Sequence, residues 1–165
     1  MKKISVRSLS RGSMIAAIYT AVSMLLAPIT FGAVQMRASE ALTLLPIVTP
    51  DAVLGVTVGC LLTNAWGVAA GANILGVLDI PLGTLATFSA AILTRKLRNH
   101  RILAAVPPVI INAVVIGAEL TFAETGRFPA ALLALNMFQV GLGQAIACFA
   151  LGLPLAALCK KMDWR

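Results

Sequence analysis

The chain has 165 residues, 59% of them hydrophobic, and its mean hydropathy is +0.95. A soluble domain has an apolar share of about 45–50%, so this composition excludes a soluble globular protein and indicates a single integral membrane domain over residues 1–165. In a soluble protein the net charge of +7 would suggest a nucleic-acid partner. Here the cations lie at the ends of apolar segments, so the expected surroundings are a lipid bilayer, without nucleic acid.

Most of the basic residues fall into three clusters, which predict the topology. The clusters are Lys2, Lys3, Arg7 and Arg11; Arg95, Lys96, Arg98 and Arg101; and Lys160, Lys161 and Arg165. The positive-inside rule places all three in the cytoplasm, so the chain crosses an even number of times between them. At roughly 17–20 residues a crossing, there is room for four crossings and then two. The sequence therefore predicts an all-α protein with six transmembrane helices and both termini cytoplasmic, with Arg37 and Arg127 outside.

Helix breakers and capping residues give the boundaries of these helices. Pro28 lies near the end of the first, Thr49-Pro50-Asp51 has the pattern of a helix N-terminus, and Asp79 begins another. A cleaved signal peptide is the alternative for the N-terminus, but no small-x-small cleavage site follows the apolar stretch. The predicted helices cover residues 13–30, 35–48, 50–66, 80–96, 102–122 and 129–159.

Polar residues are concentrated in the half of the predicted bundle that faces outside. Buried amides and carboxylates in a membrane either tie helices together or line a cavity, and both interpretations stay open for any single residue. Their concentration at one end favours a small-molecule pocket. The set comprises Gln35, Arg37, Glu40, Asn73, Asp79, Asn112, Glu119, Asn136, Gln139 and Gln144.

Ala17 and Ala21 form a small-xxx-small pair on the first predicted helix. Such a face allows close approach of another helix, either from a partner or from the same chain. The three cysteines lack metal-ligand spacing, and no phosphate-binding loop or nucleophile with a base is evident. The sequence therefore predicts a binding protein or conduit, and no enzyme, metal or cofactor.

The run Phe31-Gly-Ala-Val-Gln-Met-Arg-Ala-Ser-Glu-Ala-Leu-Thr-Leu-Leu-Pro46 closely resembles the signature of the QueT family. Shorter stretches agree in the same order, so the resemblance covers nearly the whole chain. They are Thr49-Pro50, Gly59-Cys-Leu-Leu62, Gly83-Thr-Leu-Ala-Thr87, Pro107-Pro108, Asn112-Ala113 and Val140-Gly-Leu-Gly-Gln144. One departure is Gln144, because the family carries Glu at this position.

The resemblance implies a substrate-binding (S) component of an energy-coupling factor (ECF) transporter in the bacterial plasma membrane. Its implied partners are the transmembrane subunit EcfT and two ATPase subunits. Family S components dock through an alanine-x-x-x-alanine face on the first helix, which Ala17 and Ala21 match. The implied fold has six helices with an outward-facing pocket.

The resemblance also implies a queuosine precursor as substrate, a 7-deazaguanine such as pre-queuosine-1, or queuine. Such a ligand offers N–H donors, a carbonyl acceptor and a flat face, and pre-queuosine-1 adds an ammonium group. Glu40 and Glu119 are the expected acceptors, and Trp66 or Phe138 the stacking faces. Arg37 either contacts ligand or pairs with Glu40 to order the loop. The expected amide partners are Gln35, Asn112, Asn136, Gln139 and Gln144.

A stand-alone proton-coupled secondary carrier for a small polar solute is the alternative, with Glu119 or Asp79 as the proton site. A small-ion channel is disfavoured, because the polar residues stop in the outer half of the bundle.

Overall fold

The computed structural model describes residues 5–31 and 36–162, and every regular element within these two ranges is helical. This confirms the all-α class. Two 3₁₀ helices cover Ala38–Ile47 and Gly76–Leu78, and a π-helix over Ile146–Gly152 joins α7 to α8. The α-helices are α1 (Val6–Leu25), α2 (Ala27–Thr30), α3 (Asp51–Ala69), α4 (Asp79–Lys96), α5 (Arg101–Ala104), α6 (Val106–Thr125), α7 (Ala130–Ala145) and α8 (Leu153–Lys161).

Within the described ranges, four helical stretches are long and apolar enough to cross a membrane. An α-helix rises about 1.5 Å per residue, so 20 residues cover the roughly 30 Å of bilayer hydrocarbon. The chain is therefore a multi-pass membrane protein. The four stretches are Asp51–Ala69, Gly76–Lys96, Arg101–Thr125 and Ala130–Lys161.

The first two predicted helices differ most from the structure. α1 begins at Val6 rather than near residue 13, because the Ser5 side chain accepts a 3.1 Å hydrogen bond from the Ser8 backbone amide. α1 ends at Leu25, close to Pro28 as predicted, and Pro28 itself lies in the first turn of the four-residue helix α2. The predicted second helix is a 3₁₀ helix over Ala38–Ile47, which contains Pro46 near its end.

α1 and α3 pack closely because α3 presents glycines to α1. A Cβ atom on Gly55 would lie 2.8 Å from the Gly12 carbonyl oxygen, and one on Gly59 would lie 2.7 Å from the Tyr19 Cβ. These contacts advance in the same direction along both helices, so α1 and α3 are parallel. Because α1 and α3 are parallel, the segment that connects them must run back along the length of the two helices.

The 3₁₀ helix Ala38–Ile47 provides this return, and most of its residues are buried. Just before it, Arg37 is bonded to Asp79 at the start of α4. At its other end, the Pro46 carbonyl accepts a 2.9 Å bond from Arg95 in the last turn of α4. The segment therefore runs beside α4 from one end to the other. We call these ends of the bundle the Asp79 end and the Arg95 end.

The last helical stretch also packs against the 3₁₀ helix. A Cβ on Gly152 would lie 2.9 Å from the Ala41 carbonyl oxygen, and Cys148 Sγ lies 3.9 Å from Thr43 Oγ1. The 3₁₀ helix is thus enclosed by α1, α3, α4 and the π-helix. Helices cover its backbone on all these sides, which keeps an irregular segment out of contact with lipid.

Candidate functional site at the Asp79 end

A buried ion pair organises the Asp79 end. Arg37 Nη2 donates a 2.7 Å bond to Asp79 Oδ2, and Nη1 donates a 2.9 Å bond to Asn64 Oδ1. Asn73 Nδ2 donates to the same Asp79 oxygen at 2.7 Å, and Asn64 Nδ2 donates to the Asp79 carbonyl at 2.8 Å. The network joins the start of the 3₁₀ helix, α3 and the start of α4, so it fixes three segments relative to one another.

The ion pair corrects the expected partner of Arg37. Its partner is Asp79 rather than Glu40, whose Oε1 instead accepts a hydrogen bond from the Tyr19 hydroxyl. Burial opposes the charge of Arg37, and the Asp79 carboxylate at 2.7 Å and the Asn64 amide oxygen at 2.9 Å compensate for this cost. Arg37 is therefore a fixed cation at this end of the bundle.

Gly83 makes room for this network one turn after Asp79. A Cβ at this position would lie 2.2 Å from Asp79 Oδ1 and 2.7 Å from Asn64 Nδ2. Both distances are below any ordinary contact, so only glycine allows the carboxylate and the amide to keep these positions.

Several buried polar atoms near this network have no hydrogen-bond partner within the described parts of the chain. They include both carboxylate oxygens of Glu119, Glu40 Oε2, Asn112 Nδ2 and Gln144 Oε1. Leaving a buried polar group unsatisfied costs about 1–3 kcal/mol, and more for a charged one. Such atoms therefore require an explanation such as water or a ligand.

The Glu119 and Glu40 carboxyl groups lie near the Arg37–Asp79 pair. Arg37 and Asp79 lie close enough to Glu119 for their charges to act on it, and the same two residues act on Glu40. One cation thus faces three carboxyl groups.

α6 and α7 hold Asn112 and Gln144 at similar levels along the axis of the bundle. A Cβ on Gly117 would lie 2.7 Å from Met137 Cα, and one on Gly141 would lie 3.3 Å from Ala113 Cβ, so the two helices are antiparallel. Asn112 on α6 is therefore near the level of Gln144 on α7.

Asn136 differs from Asn112 and Gln144 because its side-chain amide is hydrogen-bonded to a neighbouring helix. Its Nδ2 donates to Thr121 Oγ1 at 3.1 Å and to Glu124 Oε2 at 3.4 Å, so it ties α7 to α6. This is the helix-linking interpretation left open for such residues. Gln139 is half-buried on the same helix, and Gln35 lies outside the described residues.

The two candidate stacking residues are placed differently. Trp66 is half-buried, with its ring centroid 6.3 Å from that of Phe31, and the Arg37 guanidinium lies 5.6 Å from the Phe31 centroid. Phe138 is 67% exposed and is not brought into the buried polar set. Trp66 is the better-placed of the two.

Ala17 and Ala21 lie on the side of α1 that faces away from the rest of the bundle. Ala17 and Ala21 are both exposed, whereas Ile15, Ala16 and Tyr19 are buried against α3 and the 3₁₀ helix. The internal packing of α1 therefore uses a different face from the alanine pair.

Sequence reasoning did not assign a role to Asn64 or Tyr19, and it counted Asp79 in the outer polar set and as a carrier's proton site without identifying Arg37 as its partner. Asn64 is one amide in an apolar helix, and such a residue in a membrane segment is itself a signal of a buried polar partner. Tyr19 is the chain's single tyrosine, and its polar neighbours along α1 are the hydroxyl residues Thr20 and Ser23.

The fold and the buried polar cluster define a multi-pass helical membrane protein with a candidate binding site for a polar solute. The chain belongs to the QueT transporter family, whose family model matches residues 9–161. That family is the queuosine-precursor S component family of ECF transporters, and it is a family of transporters rather than enzymes. Searches of curated proteins and of solved structures give no match.

Proposed function

We propose that this chain binds a queuosine precursor at the Asp79 end and delivers it across the bacterial plasma membrane as the S component of an ECF importer. The substrate is a 7-deazaguanine, with pre-queuosine-1 favoured over queuine. EcfT and two ATPase subunits are the proposed partners, and they supply the energy of ATP hydrolysis. The family match supports the transporter class, and the polar cluster supports the ligand chemistry.

The ligand proposal rests on the burial of the Glu119 side chain and on its lack of described hydrogen-bond partners. Its side chain is buried, and neither carboxylate oxygen has a hydrogen-bond partner within the described residues. A carboxylate held this way accepts N–H donors from a ligand, and it pairs well with an ammonium group. Pre-queuosine-1 supplies both kinds of group, whereas its nitrile precursor lacks the ammonium.

The neighbours of Glu119 complete a complementary site. Glu40 Oε2 accepts further ligand donors, and Asn112 Nδ2 donates to the ligand carbonyl. Trp66 offers the stacking face. Arg37 holds the site together through Asp79 rather than contacting ligand, because two of its donors already have protein partners.

Six crossings with both termini inside are part of the proposal. In this arrangement α1 crosses outward and the 3₁₀ helix returns inward beside α4. A 3₁₀ helix rises about 2.0 Å per residue, so ten residues cover roughly 20 Å, and the bonded residues on either side extend this reach. The bonds from Arg37 to Asp79 and from Arg95 to Pro46 support the crossing, since α4 itself is long and apolar enough to span.

The proposed docking face for EcfT is the alanine pair on α1. Ala17 and Ala21 are exposed and small, so a partner helix can approach the α1 backbone closely. The interior contacts of α1 come from other residues, which leaves this face available.

The test is ligand identification followed by titration. Mass spectrometry of the purified full-length protein should find a bound 7-deazaguanine, and calorimetry should rank pre-queuosine-1 above its neutral nitrile precursor. Equal affinity for the two ligands would contradict the role of the carboxylates. Co-purification with two ATPases supports the ECF assignment, whereas substrate uptake by this chain alone in proteoliposomes would replace it with a secondary carrier.

A further inference from the structure

A polar cavity lies at the Arg95 end, remote from the Glu119 cluster. Its volume is about 320 Å³, and its lining includes, among the described residues, three cations and no carboxylate. The lining residues are Ile47, Val48, Arg95, Arg98, Asn99 and Lys160. We infer that this cavity is a binding site for a phosphate group, supplied by an anionic phospholipid at the membrane surface.

Arg95 is held in place before any anion binds. Its Nη1 donates to the Pro46 carbonyl at 2.9 Å and to the Ile47 carbonyl at 3.4 Å, at the end of the 3₁₀ helix. These bonds fix the guanidinium plane and leave its remaining N–H groups for a ligand. A fixed guanidinium fork matches phosphate oxygens, and the Lys160 ammonium adds a second positive charge.

Helix dipoles explain why basic residues lie at the ends of α4 and α8, but they do not explain why these residues line one cavity. Basic residues are favoured at helix C-termini, where Arg95 and Lys160 lie on α4 and α8. A helix dipole gives no reason for Arg95, Arg98 and Lys160 to line the same cavity. Mutual repulsion among these cations is relieved by a bound anion.

The carboxylate whose charge acts on Arg95 is already engaged elsewhere. It belongs to Asp51, which accepts a hydrogen bond from Ser8 and lies 3.7 Å from Arg11 Nη1. Asp51 is not part of the cavity lining. Within the described parts of the chain no carboxylate neutralises the cavity, so its positive charge is left for an external anion.

The position of the cavity favours a lipid as the source of phosphate. The spanning stretch Gly76–Lys96 ends at the cavity, and Arg98 and Asn99 lie just beyond it. Residues at this position are at the level of lipid headgroups, where basic pockets between membrane helices bind anionic ones.

The experiment compares two double variants of the full-length protein in detergent. Arg98→Gln with Lys160→Gln removes two cavity cations, and both residues are exposed. Arg101→Gln with Lys161→Gln is the matched control, since it removes two exposed charges from the same end without altering the cavity lining. Arg95 is left intact, so its bonds to the 3₁₀ helix are preserved.

Native mass spectrometry and thermal unfolding would be followed with phosphatidylglycerol, phosphatidylcholine or inorganic phosphate. The wild type and the control should prefer phosphatidylglycerol to phosphatidylcholine, and the cavity variant should bind phosphatidylglycerol on the order of tenfold more weakly than the control. Displacement of phosphatidylglycerol by inorganic phosphate would confirm the site and assign it also to soluble phosphate. Equal weakening in both double variants, or no preference between the lipids in the wild type, would overturn the inference.

Discussion

Arg37 and Asp79 are 42 residues apart in the chain, yet their side chains form a 2.7 Å ion pair in the interior of the bundle. Neither side chain is more than 5% exposed. This pair fixes the start of the 3₁₀ helix against the start of α4. It places the Glu40 and Glu119 carboxyl groups near a single cation.

Removing one member of this pair should destabilise the protein strongly. Asp79→Asn leaves the Arg37 charge buried without its counter-ion, so we expect a loss of about 3–5 kcal/mol in the free energy of unfolding. The Arg37→Gln/Asp79→Asn double variant should be less destabilised than the sum of the single variants. Denaturant unfolding in detergent micelles measures all three, and additive losses would show that the two side chains do not interact.

Glu119→Gln should separate ligand binding from stability. The carboxylate has no described protein partner to lose, so the unfolding midpoint should stay close to that of the wild type. Affinity for pre-queuosine-1 should fall on the order of a hundredfold, because a buried charged partner of the ammonium is removed. Gln144→Glu should weaken binding less. Calorimetry with both variants checks this order, and an unchanged affinity in Glu119→Gln would remove that residue from the site.

Gly83→Ala should disrupt the hydrogen bonds around Asp79, because the added methyl group has no space. Its new Cβ would overlap Asp79 Oδ1, and overpacking of this kind costs about 1–3 kcal/mol. Gly143→Ala is the matched control on α7, because its Cβ would meet Met36 at an ordinary 3.4 Å. Thermal unfolding should show a clear loss of stability only for Gly83→Ala. Similar behaviour of the two variants would mean that the network adjusts to the extra methyl group.

Tryptophan at Ala17 or Ala21 should abolish uptake in cells while leaving ligand binding by the isolated chain nearly intact. Both alanines are exposed, so the indole blocks a partner helix without entering the core. Ile18→Trp is a control for bulk on the same helix, since Ile18 is already large and 44% exposed. A parallel loss of binding and uptake would assign the alanine face to internal packing.

Cysteine labelling should place Arg127 outside and Arg98 inside. Both residues are exposed, whereas a cysteine at the buried Arg37 would be shielded from a reagent. Of the native cysteines, Cys60 and Cys148 are buried, so Cys159 is the one to replace in the background. An impermeant thiol reagent on intact cells should then label Arg127→Cys and spare Arg98→Cys. The reverse pattern would invert the topology.

The sequence by itself determined the membrane class, the all-α fold and the family. Apolar runs of sufficient length admit no alternative to helices in a bilayer, and capping patterns at Asp51 and Asp79 placed two helix starts correctly. It also singled out Glu119 and Arg37 as polar residues that need a partner.

Only the tertiary structure decided which partner each residue has. Arg37 pairs with Asp79 because the return segment runs beside α4, a neighbour relationship that no local pattern encodes. The 3₁₀ form of Ala38–Ile47 depends on enclosure by surrounding helices, since an isolated segment has no reason to prefer its poorer hydrogen bonds. Likewise, Asn136 and Phe138 lie on opposite faces of α7, and only the packing against α6 decides that Asn136 is the one that faces inward.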